Sequence, residues 1–71
     1  MYLVIELQTT NGTTSYIGTV KATRDEAEQK YHQILAAAAV SSVEIHTAVI
    51  LNPEGGKIKG ETYKHTPQAA E

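Results

Sequence analysis

The dipeptide Asn11-Gly12, set between MYLVIELQTT and TTSYIGTV, leaves the first third of this chain little conformational choice. A two-residue type I′ turn needs positive φ at both positions, which asparagine and glycine accept more readily than other residues. The flanking segments alternate and are rich in β-branched and aromatic side chains, so they read as the two strands of a hairpin. With Asn11 and Gly12 as the loop, Thr10 faces Thr13, Leu7 faces Tyr16, Ile5 faces Gly18 and Leu3 faces Val20. The last three pairs share one face, and that face is apolar. Gly18 opposite Ile5 leaves a shallow spot for a helix to approach.

A helix is expected next. Thr23-Arg24-Asp25-Glu26 fits the capping-box pattern, with Thr23 as N-cap and acidic residues in the first turn. Apolar residues follow at Ala27, Tyr31, Ile34, Leu35 and Ala38, the spacing of one helical stripe. Glu26 and Lys30 form a favourable i,i+4 pair, and Ser41-Ser42 marks the end. Val43 to Leu51 reads as the most hydrophobic strand, Asn52-Pro53-Glu54-Gly55-Gly56 as a turn, and Lys57 to His65 as a more polar returning strand.

The fold class predicted is therefore α+β, ββαββ: a four-stranded antiparallel sheet in order 2-1-3-4 with one helix on one face. The first and third strands carry most branched apolar residues and belong in the centre; Thr, Ser, Gly and Lys mark the other two as edges. Residues 1–66 form one domain and 67–71 a loose C-terminal tail.

A domain of 71 residues buries only about 60% of its unfolded surface, so it often needs reinforcement. Cysteine is absent, which excludes disulfides and thiolate metal sites. His32, His46 and His65 match no metal-ligand spacing, so no metal and no cofactor are expected. Self-association is the remaining common route, and a homo-oligomer is the expected state. The net charge of −2 and the single arginine, Arg24, argue against nucleic acid as a partner. MYLVIEL is too short for a membrane span and lacks the basic start of an export signal, so no membrane partner and a cytoplasmic location are expected.

One helix covers one sheet face, and the chain has apolar residues for two. Leu3, Ile5, Leu7, Tyr16 and Val20, with Val43, Ile45, Val49 and Leu51, are assigned to the helix-covered core. Val4, Ile17, Ala48, Ile50 and Ile58 then point the other way, with Glu6, His46 and Thr62 as polar neighbours. Scattered aliphatics are ordinary on a surface, but a cluster on one sheet face reads as an interface. If Leu51 faces Lys57, Ile50 sits beside Ile58 and His46 beside Thr62. The run Ala36 to Ala39 suits helix propensity alone; being apolar on every side, it also fits close approach of a partner backbone. The expected interface is Val4, Ile17, Ala37, Ala39, Ile50 and Ile58.

His46, Tyr63, Lys64 and His65 are the candidate ligand-binding residues. The mix of imidazole, aromatic ring and cation suits a nucleotide-like molecule, although a structural histidine and a solvated edge strand account for the same residues. Glu6 and His46 on neighbouring strands would make an acid–base pair, but no nucleophile elbow, P-loop or metal motif accompanies them. No catalytic residue is assigned and a non-enzymatic protein is expected.

At MYLVIELQTT, DEAEQKYHQILAAAAVSS and ETYKH the chain resembles a set of short uncharacterised proteins of anaerobic Firmicutes and their prophages. The resemblance covers most of the chain and implies an intracellular accessory protein, phage- or host-encoded, with no catalytic residues. By analogy of setting it implies a small protein that sequesters a nucleotide-derived immune signal in pockets between subunits. A protein-binding inhibitor or adaptor using an open sheet face, and a phage structural or assembly component, are the alternatives.

Overall fold

The computed structural model describes residues 1–65. Strands β1 (Tyr2–Thr10) and β2 (Thr13–Lys21), helix α1 (Arg24–Ala39) and strands β3 (Ile45–Leu51) and β4 (Lys57–Lys64) follow in order. The strands form one antiparallel sheet in the order β2-β1-β3-β4, the α+β arrangement expected. The tail expected from residue 67 onward lies outside the described residues.

Local chemistry accounts for the elements. Asn11 and Gly12 take φ of 53° and 78°, as a type I′ turn requires, and the register Thr10–Thr13 through Leu3–Val20 follows from it. Thr23 is extended and its hydroxyl accepts the Glu26 amide at 3.2 Å, capping α1 above the acidic pair Asp25 and Glu26. Thr23→Ala is expected to cost about 1 kcal/mol, seen as a fall of roughly 4–8 °C in Tm by circular dichroism. The helical ion pairs converge on Glu28, which meets Arg24 at 3.2 Å and Lys59 of β4 at 2.7 Å, rather than forming between Glu26 and Lys30.

The expected helical stripe is the buried one: Ala27, Tyr31, Ile34, Leu35 and Ala38. What it covers differs from expectation. The fully buried sheet residues are Val4, Ala48 and Ile50, with Tyr2, Ile58 and Tyr63 packed around them. The helix therefore lies on the face that carries Val4, Glu6, His46, Ala48 and Ile50. Alanines on both sides, Ala27 and Ala38 above and Ala48 below, let the two backbones come close. The face with the larger side chains, and with the Gly18 notch, stays uncovered.

A second difference lies in β4. Leu51 pairs with Lys57 as expected, but the register then shifts, so Ile50 pairs with Lys59 and His46 with Tyr63. Ile58 is the extra residue of a β-bulge, and it packs against the core.

Candidate functional site

Antiparallel partners share a face, so the ladder defines the uncovered side row by row. Val20, Leu3, Leu51 and Lys57 form the first row, and Gly18, Ile5, Val49 and Gly60 the second. Tyr16, Leu7, Thr47 and Thr62 form the third, and Thr14, Thr9, Ile45 and Lys64 the fourth. On β1, β2 and β3 this face holds eight apolar side chains and no charge; its two cations, Lys57 and Lys64, stand at opposite ends of edge strand β4. Tyr16, Val20 and Ile45 are exposed, and Leu3, Ile5, Leu7, Val49 and Leu51 are half-buried only by one another and the strands. A continuous apolar patch of this extent is unusual on the surface of a small chain.

At the first-row end the face dips into a hollow of about 290 Å³ lined by Met1, Leu3, Val20, Leu51, Asn52, Pro53 and Gly55. Its shape comes from the β3–β4 turn. The Asn52 carboxamide oxygen accepts the amides of Glu54 at 2.9 Å and Gly56 at 2.7 Å, and Gly55 adopts a φ of 87°. These contacts hold Pro53 over the end of the sheet.

Of the residues expected to bind a ligand, His46, Tyr63 and His65 come together on the helix side, and Lys64 stands on the other face. His46 is 3% exposed beneath α1. Its Nε2 lies 2.6 Å from Oε2 of Glu6, which also accepts the Gln8 amide at 2.9 Å. Burial pushes the Glu6 carboxyl up, but these hydrogen bonds, with the charges of His46 and Lys30, outweigh it and hold the carboxyl below its ordinary 4.5. The other imidazole nitrogen, Nδ1, is buried without a partner. The ionised carboxylate of Glu6 can only accept, so Nε2 is the donor in this contact. The expected Glu6–His46 pair thus exists, and it ties β1 to β3 under the helix rather than facing outward.

Tyr63 and His65 stack nearly parallel, 6.4 Å between centroids and 8° between planes. His65 Nε2 donates to the Ala38 carbonyl at 2.7 Å, satisfying the end of a helix that has no basic residue in its last turn. Lys64 projects from the opposite face, in the row of Ile45. His46, Tyr63 and His65 therefore belong to the helix side, apart from Lys64.

The expected interface set also divides. Val4 and Ile50 are fully buried in the core and Ile58 is half-buried against it, because the helix took their face. Ile17 is 58% exposed on edge strand β2, and Ala37 and Ala39 are exposed on α1. The residues that do form a broad apolar surface, Leu3, Ile5, Leu7, Val20, Val49 and Leu51, are those assigned from sequence to the core.

Among the described residues, no group of three metal-ligating side chains comes together, and no helix is long and apolar enough to cross a membrane. Comparison with family models, curated proteins and solved structures returned no match.

Proposed function

We propose that this chain is a non-enzymatic, homo-oligomeric binding protein that sequesters a small molecule in a pocket formed where its bare sheet face is covered. The observation that carries this reading is the uncharged apolar face of β1, β2 and β3, with a hollow already formed at one end. Its volume is near the lower bound of about 300 Å³ for small-molecule pockets, so one copy offers half a site rather than a whole one. Apolar walls suit the flat body of a ligand, and Lys57, directly across from Leu51, supplies a cation beside them. A nucleotide-derived molecule, the class that the resemblance implies, has both features.

The test is a thermal-shift titration against a nucleotide panel that includes cyclic ADP-ribose derivatives, with native mass spectrometry of the purified protein. A ligand at about one hundred times its Kd adds ~2.7 kcal/mol, a rise of roughly 10–20 °C in a domain of this size. No shift with any nucleotide, and no co-purifying small molecule, would remove the nucleotide from the proposal.

A further inference from the structure

We infer that the occupant of the bare face is a second copy of this chain, related by a two-fold axis parallel to the strands. This arrangement joins the two hollows into one pocket at the end of the dimer. The inference rests on the proposed binding role and names the partner that completes the site.

Size comes first. Four strands about 4.8 Å apart and seven residues of about 3.3 Å each give a face of roughly 20 by 23 Å. With side-chain relief, stacking two such faces removes on the order of 1,000–1,300 Å² from water, which clears the ~1,000 Å² expected of a specific interface. The result is a four-layer sandwich, with helices outside and two sheets packed at about 10 Å.

Charge then selects the orientation. An isologous contact sets the same patch against itself, and among the described residues the charged side chains in its four rows are Lys57 in the first and Lys64 in the fourth. An axis lying across the strands would stack the first row on the partner's fourth and set Lys57 over Lys64 of the partner subunit, twice. An axis along the strands keeps the rows matched and exchanges the edges, so that β4 lies over the partner's β2. Lys57 then meets Val20 of the partner subunit, and Lys64 meets Thr14 of the partner subunit. Neither position is charged, and the Lys57 stem already lies back over the gap at Gly60, its Cε 3.4 Å from where a Cβ would stand there. Contact between lysines is avoided, and both lysines stand on edge strand β4, from which a flexible stem lets the head turn to water.

The same axis brings the two first rows together. Leu3 lies over the partner's Leu51, so the Met1, Leu3, Leu51 and Pro53 walls of both copies face each other at one end. The joint pocket has roughly twice the volume of a single hollow and is flanked by a Lys57 from each side. An axis across the strands would separate the hollows to opposite ends, leaving two half-sites.

The chain has no cysteine, so introduced pairs report cleanly. The wild-type protein is expected to sediment as a dimer. A Val20→Cys/Lys57→Cys variant should give covalent dimers with a short bismaleimide, and Thr14→Cys/Val20→Cys should not. Both pairs are too far apart within one copy to link internally, since they are separated by the full width of the sheet or by six residues of strand. Cross-linking of the second variant alone would overturn the axis and the joint pocket. A wild-type monomer at all concentrations would overturn the inference even if a nucleotide bound. A cross-linked dimer indifferent to nucleotides would uphold the inference and count against the proposed ligand.

Discussion

A Val49→Asp variant is expected to remain folded and to sediment as a monomer at concentrations where the wild-type chain is a dimer. Val49 sits beside Ile5 in the middle of the bare face, where the second copy packs. In the monomer its side chain is half-buried and points away from the helix, so an aspartate there keeps access to water. The cost to the monomer is the strand-propensity difference, within about 1 kcal/mol. In the dimer two carboxylates, one from each copy, would be enclosed among Ile5, Leu3 and Leu7 in the second row, which holds no basic residue; the nearest cation is Lys57 of the first row, whose head lies over Gly60 on edge strand β4. Enclosing an unpaired charge costs about 3–5 kcal/mol, and each 1.4 kcal/mol is tenfold in Kd. Dimerisation should weaken by at least two to three orders of magnitude, as measured by analytical ultracentrifugation. Val49→Thr, which keeps the branched shape, should lose far less. A Val49→Asp protein that stays dimeric would show that the assembly uses another surface.

The hairpin, the helix and the strand order were legible because each rests on local chemistry. Asn11-Gly12 accepts only one turn family, Thr23 caps only one helix start, and the Ala27–Ala38 stripe has only one buried side. Which sheet face the helix would cover was not local. Alternation separates Leu3, Ile5 and Leu7 from Val4 and Glu6, but period-two patterning does not say which set is inside when both contain large aliphatics. The larger side chains suggested the core. Close packing of helix on sheet instead favoured the side where Ala48 and Ala27 share the buried core, even with Glu6 and His46 on it. Two sequence signals pointed there. Glu6 and His46 satisfy each other, so they are compatible with burial, and alanine at the centre of β3 leaves room that a helix can use. The bulge at Ile58 was hidden for another reason: a turn of uncertain length admits either register, and only packing of Ile58 on the core decides it.

His46→Ala is expected to lower stability by about 2–4 kcal/mol and to change how stability depends on acid. The ring is enclosed under α1, so its loss opens a void, and Glu6 loses the shorter of its two hydrogen bonds. In the wild-type protein the Glu6 carboxyl is held below its unfolded value of 4.5. A carboxyl depressed in the folded state binds fewer protons there than in the unfolded chain, so its stabilising contribution is full above pH 4.5. It is lost as pH falls through the lower folded value. Glu28, held low by its hydrogen bond to Lys59 against some burial, shares the acid limb, so the Glu6 part must be read as a difference between proteins. Glu6→Gln keeps an acceptor for the His46 Nε2–H and removes the titrating group. Its stability should therefore approach that of the wild-type protein as pH falls below 4.5. In His46→Ala the burial of Glu6 is no longer outweighed by a histidine, so its contribution to the acid limb should shrink or reverse in sign. Urea titrations of the three proteins from pH 3 to pH 7 would measure this. Parallel curves for wild type and Glu6→Gln across that range would show that the Glu6–His46 contact contributes packing alone.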